Sequence, residues 1–244
     1  MARIETERIP AERPGAPTLV FLHEGLGSVA LWRGFPAALA QRTGFGALVY
    51  SRRGNGFSEP LTGPRTPQYM HEEALVELPR VLAEERAGDV VLVGHSDGAS
   101  IALIYAAEHP ERVRALVLEA PHVFVEGLSV LSIDKIRERY ESGSLRERMA
   151  RYHTDGDATF YAWNDVWLSS AFREWNIEPH LERVRAPILA IQGTEDEYGT
   201  LAQIDAIAAR ADGPVDRIVL AGCGHAPHAD RPAFVTEAIA AWLA

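Results

Sequence analysis

Five residues near the middle of the chain, Gly94-His95-Ser96-Asp97-Gly98, form a G-x-S-x-G. A four-residue apolar run, Val90, Val91, Leu92 and Val93, precedes it, and a stretch of small and aliphatic residues, Ala99–Ala107, follows. The apolar run predicts a buried strand and the following stretch a helix. The turn between them is sharp. It forces its central residue into a strained backbone conformation with the side chain pointing out of the bend. The flanking glycines fit because a β-carbon there would strike the returning backbone. Ser96 then presents its hydroxyl at a helix N-terminus, where free N–H groups and the helix dipole favour the negative charge of acyl transfer. The plainer reading is a glycine-rich turn carrying a solvated serine; a strand before and a helix after favour a nucleophile.

A serine hydroxyl needs a base within hydrogen-bond reach, and the base needs an orienting carboxylate. His225 is the leading base. It stands in the loop Gly222-Cys223-Gly224-His225-Ala226-Pro227-His228, after the last predicted strand, from which an imidazole can reach across the rim of a sheet. His228 is its rival. Asp196, three residues after Gly193, is the leading acid, although a turn or helix-capping aspartate is the commoner role. Glu195 and Glu197 flank it, and Glu119, at the end of another strand, is a further alternative.

The elements that must position these groups alternate along the chain. Strands are predicted at Thr18–Leu22, Ala47–Tyr50, the run before the serine, Val113–Leu118, Ile188–Ile191 and Arg217–Leu220. Helices are predicted through Trp32, Phe35 and Leu39, through Leu75, Leu78 and Leu82 with a kink at Pro79, through Leu201, Ile204 and Ile207, and through Val235, Ile239 and Trp242. This predicts an α/β fold, a mostly parallel sheet with helices on both faces. Ligands bind beyond the C-terminal strand ends of such sheets, and every candidate above lies there. From Pro121 to about His180 the pattern changes to amphipathic stripes, with Phe160, Tyr161, Trp163, Trp167, Phe172 and Trp175 concentrated in it. The expectation is a helical insertion at 121–180 between core segments 1–120 and 181–244. The charge runs Arg137-Glu138-Arg139 and Arg146-Glu147-Arg148 read as solvated helix faces.

Length and composition agree with one α/β domain: 244 residues, 47% hydrophobic and 24% charged. The net charge of −10 argues against nucleic acid or an anionic membrane as partner. The charged first residues lack an apolar signal core, no run approaches the ~18 apolar residues of a membrane span, and the single cysteine, Cys223, fits a reducing compartment. These predict a cytoplasmic protein acting on a small-molecule substrate. No Cys/His cluster suggests a metal, and no G-x-G-x-x-G loop opens a helix after a strand, so no cofactor is expected.

The order Ser96, Asp196, His225 and five motifs make the chain resemble the α/β-hydrolase family. GHSDG resembles the family's nucleophile elbow, HEGLGS its HGxxGS oxyanion loop, SRRGNGFS its D-x-R-G-x-G-x-S loop, and GTED and GCGHAPH its acid and histidine loops. The resemblance implies an oxyanion hole from the backbone N–H groups of Gly25 and Asp97, and a cap domain over the site at 121–180. It implies a serine hydrolase cleaving an ester, thioester or lactone. The aromatic cap favours an apolar or aromatic group, with Trp163 and Trp167 either pocket residues or cap-core packing. Glu24 stands where the family carries glycine, either as a structural carboxylate bonded to the Arg52/Arg53 loop or facing the pocket. Asp97 adds a second acidic side chain near the serine, and Ser51 replaces the loop aspartate. The N-terminal strand pair is expected to be shortened to one short strand at most. Alternatives are carbon–carbon bond hydrolysis of ring-cleavage products and a non-enzymatic binding module with a vestigial triad; haloalkane dehalogenation would need Asp at position 96.

Overall fold

Seven runs of apolar or alternating residues become one sheet in the computed structural model, which describes residues 3–244. The strands are β1 (Thr6–Ile9), β2 (Thr18–Leu22), β3 (Gly46–Tyr50), β4 (Val90–His95), β5 (Val113–Glu119), β6 (Ile188–Gly193) and β7 (Val215–Leu220). Their spatial order is β1-β3-β2-β4-β5-β6-β7. Only β1 runs antiparallel, against β3; every other pairing is parallel. The inner strands are buried nearly throughout, whereas the two edges carry charge, Glu7 and Arg8 on β1 and Asp216 and Arg217 on β7. Charged edges discourage pairing with another chain.

Alternation along the strands divides the core into two layers. Leu19 and Phe21 of β2, with Val49, Val91, Val93 and Val117, pack against helices α1 (Phe35–Thr43) and α11 (Pro232–Trp242). Val20 and Leu22, with Leu48, Leu92, Leu116 and Leu118, pack on the opposite face. That face is covered by α2 (Tyr69–Glu72), α3 (Leu78–Glu84) and α4 (Asp97–Glu108), with α9 (Ala202–Arg210) further along. The short α10 (Pro227–Asp230) precedes α11.

The expected kink at Pro79 takes another form. Between α2 and α3 the chain widens into a π-helical segment, Glu73–Glu77, and Pro79 falls in the first turn of α3. Proline has no N–H to donate, and its ring collides with a carbonyl four residues back; widening the turn just before it removes both conflicts.

Between β5 and β6 the chain is helical, as its aromatic stripes imply: α5 (Gly127–Glu141), α6 (Ser144–Met149), α7 (Gly156–Leu168), a 3-10 turn at Ser170–Phe172 and α8 (Glu178–Leu181). Asp155 caps α7 by accepting from the Ala158 N–H. Among the described residues no helix is long and apolar enough to cross a membrane.

The strand order has one consequence for function. From β2 the chain moves to one side, to β3, and then returns to the other side for β4. Loops leaving β2 and β4 therefore part company and leave a crevice at their C-terminal ends. The segments His23–Ser28 and Gly94–Gly98 border it.

Candidate active site

Ser96 sits between β4 and α4 with φ 54° and ψ −119°, a conformation that side-chain-bearing residues rarely adopt. Close packing enforces it. A β-carbon on Gly98 would lie 1.8 Å from the Leu22 carbonyl oxygen, and one on Gly94 would lie 2.5 Å from the Gly98 carbonyl oxygen. The turn is also tied sideways, since the Ser96 N–H donates to the Glu119 carbonyl at 2.9 Å. Asp97 is the first residue of α4, so its N–H has no acceptor within the helix.

His225 and Asp196 meet although 29 residues separate them. His225 Nδ1 lies 2.8 and 2.9 Å from the two Asp196 carboxylate oxygens. A carboxylate only accepts, so Nδ1 carries the hydrogen and Nε2 is left as a lone pair, the form a general base requires. Asp196 is held in turn by the Tyr198 N–H at 2.8 Å, the Gly199 N–H at 3.2 Å and Gln192 Nε2 at 2.6 Å. Burial disfavours its charge, but the His225 hydrogen bond and charge outweigh that and hold the carboxyl below 3.8.

The two sequence alternatives, His228 and Glu119, pair with each other. Glu119 accepts from His228 Nδ1 at 2.9 Å and from the His228 backbone N–H at 2.8 Å, at zero solvent exposure. The His228 ring is packed on Trp32, Phe35 and His95. Burial works to lower the His228 imidazole, and Glu119 more than compensates, raising it above 6.5. Glu195 and Glu197 are not among the partners of His225; the Glu195 N–H supports the histidine loop by donating to the Cys223 carbonyl.

The loop bearing Gly25 is fixed through its carbonyls. Arg52 donates to the carbonyls of His23 and Glu24, each at 2.9 Å, and Asn55 Nδ2 donates to those of Gly25 and Gly27 at 3.1 Å. Here the structural alternative for Glu24 is corrected in detail. Arg52 takes the main chain of Glu24, whereas its carboxylate, one third exposed, faces His95 Nδ1 at 3.6 Å. Burial disfavours the Glu24 charge, yet the His95 contact dominates and holds the carboxyl well below its ordinary value.

Asp97 is turned inward, 1% exposed. It accepts from the Tyr69 hydroxyl at 2.6 Å and lies 3.8 Å from Arg52, and burial raises its carboxyl against both. Trp167, also 1% exposed, donates from Nε1 to the Tyr69 oxygen at 3.0 Å, so it belongs to this buried chain of hydrogen bonds. Trp163 is placed differently. Its ring lies against Gly25, so that a β-carbon there would come within 2.1 Å of the indole nitrogen, and that buried N–H has no hydrogen-bond partner. Ser51 is partnered by Glu5, whose carboxylate takes its hydroxyl at 2.6 Å and the Phe57 N–H at 2.9 Å. A carboxylate from the flank of β1 thus ties Ser51 to the loop that follows it.

A cleft of about 810 Å³ adjoins the serine turn and the histidine loop. Its lining includes Glu24, His95, Ala226 and His228, with Trp32, Phe35, Leu145 and Met149 supplying apolar wall; Ser96 and His225 are absent from it. Ser96 itself is only 7% exposed. Sequence reasoning had not singled out His95, whose Nε2 donates to the His225 carbonyl at 2.7 Å, or His122. His122 is buried, its ring 5.7 Å from that of His225, and burial pushes it down to about 3, so it is neutral.

Comparison with known proteins adds four findings. Residues 19–238 match a family model described as the alpha/beta hydrolase family. The chain is 33% identical to the zebrafish sn-1-specific diacylglycerol lipase ABHD11 over 41% of its own length and 30% of the relative's. It is 30% identical to 2-(acetamidomethylene)succinate hydrolase of Mesorhizobium japonicum over 54% of this chain and 45% of that one, so it spans less than half of either relative. Its fold is similar to that of the enol-lactonase from Burkholderia xenovorans LB400, with a TM-score of 0.77 over 99% and 96% of the two chains at 18% identity.

Proposed function

Because the chain belongs to the alpha/beta hydrolase family, we propose that it is a serine hydrolase of small to medium carboxylic esters, thioesters or lactones with an apolar or aromatic group. Ser96 attacks the carbonyl, and His225 Nε2 takes its proton as the bond forms. The developing oxyanion is received by the N–H groups of Gly25 and Asp97. His225 then protonates the leaving alkoxide, and a water molecule, deprotonated by the same ring, resolves the acyl-enzyme. Asp196 keeps the ring in the tautomer that both steps need. No cofactor enters this scheme. Residues 121–180 act as a cap, in which Trp163 is the residue over the oxyanion loop and Trp167 is a packing residue.

The observation that carries this reading is the Asp196–His225 pair, at 2.8 Å, at the same end of the sheet as a serine held by close packing in a strained turn. Names of the relatives support hydrolysis of an acyl bond without fixing the client, since fold and triad determine chemistry and the cap determines specificity. The test is a fluorophosphonate label followed by a panel of p-nitrophenyl esters of increasing acyl length. The expected result is stoichiometric labelling at Ser96 and saturable turnover, both lost in Ser96→Ala. Stoichiometric labelling with no turnover on any ester would favour a binding protein that retains the constellation.

A further inference from the structure

His95 precedes Ser96 in sequence, yet its ring contributes to the wall of the neighbouring cleft. A carbonyl oxygen only accepts, so the 2.7 Å contact with the His225 carbonyl places the hydrogen on His95 Nε2. Its other nitrogen, Nδ1, makes no hydrogen bond and lies within ion-pair distance of Glu24 Oε2, at 3.6 Å. The ring is packed between those of His225 and His228, at centroid distances of 5.2 and 5.1 Å. It is 4% exposed, so the bond to the loop is shielded from competing water.

The loop it meets needs such a contact. Asp196 fixes the His225 ring but not its main chain. The residues to either side have their own ties: the Cys223 carbonyl accepts from the Glu195 N–H, the Gly224 N–H donates to Asp230, and the His228 N–H donates to Glu119. The carbonyl of His225 itself is held by His95. We propose that His95 is a positioning residue for His225, fixing the main chain of the histidine loop while Asp196 fixes the ring. The proposal rests on the reading of Ser96 and His225 as nucleophile and base.

The test compares two polar replacements of similar size. Glutamine carries an amide N–H about as far from the backbone as imidazole Nε2, whereas asparagine falls short of it. On a p-nitrophenyl ester that the wild type turns over, His95→Asn is expected to lower kcat by about 30- to 100-fold, with KM within about twofold, because sub-ångström to 1 Å misplacement of a reacting group costs of this order. His95→Gln is expected to return kcat to within about fivefold of wild type. A merely structural role would lower the melting temperature of both His95 variants alike and would show no rescue by glutamine. Equal kcat in His95→Asn, His95→Gln and wild type, or equal impairment of the two variants, would overturn the proposal while leaving the hydrolase reading intact. If the wild type neither labels at Ser96 nor turns over, both fall together. Fluorophosphonate labelling rates provide a second readout at the nucleophile, expected to follow the same order as kcat.

Discussion

Replacing Asp196 with asparagine tests the assignment of the acid most directly, because the change is nearly isosteric and its consequence follows from donors already in place. One Asp196 oxygen accepts from the Tyr198 and Gly199 N–H groups, and the other accepts from Gln192 Nε2 at 2.6 Å; both lie within 2.9 Å of His225 Nδ1. In Asp196→Asn the amide oxygen is drawn to the side with two backbone donors. The NH2 group then occupies the other site and points a donor at His225. The imidazole must answer with a lone pair at Nδ1, which moves its hydrogen to Nε2 and removes the base from Ser96. A wrong tautomer of this kind lowers kcat by about 10⁴-fold, or about 5.4 kcal/mol of transition-state stabilisation. The assay is initial-rate hydrolysis of a p-nitrophenyl ester at neutral pH, beside circular dichroism to confirm folding. Activity within tenfold of wild type in Asp196→Asn, with a thousandfold loss in Glu119→Gln, would refute the argument and transfer the role to Glu119.

The pair formed by Glu119 and His228 yields a stability prediction instead. Burial opposes the charge of Glu119, but His228 prevails and lowers it from 4.5; Glu119 likewise raises His228 from 6.5. The Glu119 share of stability is complete above 4.5 and fades as pH falls through the lowered value, and the His228 share is complete below 6.5 and fades as pH rises through the raised value. Glu119→Gln is therefore expected to cost about 3 kcal/mol near pH 5.5 and to flatten the dependence of melting temperature on pH either side of that range. Ser96→Gly relaxes a strained backbone worth about 1–3 kcal/mol, less about 0.5–1 for glycine's freedom. It should melt about 2–4 °C above Ser96→Ala per kcal/mol gained, and equal melting points would contradict the strain. Gly25→Ala drives a β-carbon to within 2.1 Å of the Trp163 indole. It should cut turnover by about 10²- to 10³-fold through the displaced oxyanion donor, with partial recovery in the double variant Gly25→Ala/Trp163→Ala.

Much of the architecture can be read from runs of side chains. Buried strands announce themselves as Val-Val-Leu-Val or Ile-Leu-Ala-Ile, and the serine turn by glycines whose β-carbons would meet backbone. Chain order alone brought out Asp196 and His225. That Glu119 serves His228 was not legible, because that depends on lateral register. His95 and Glu119 are partners on adjacent strands, and this places Glu119 beneath the histidine loop at His228 instead of at His225. The direction of Glu24 was equally hidden, since Arg52 satisfies itself on carbonyl groups that every residue type carries. Local propensity also misjudged Pro79: proline forbids a regular turn, but it does not say whether the chain bends or widens.

Neighbouring strands that end on His95 and Glu119 each send a side chain into one short segment, at residues 225 and 228. That segment is therefore not an interchangeable part. Transplanting it from a homologous enzyme, or lengthening it to admit a bulkier client, would strip two anchors that belong to the sheet. An engineer recasting this rim has to treat positions 95, 119 and 225–228 as one module.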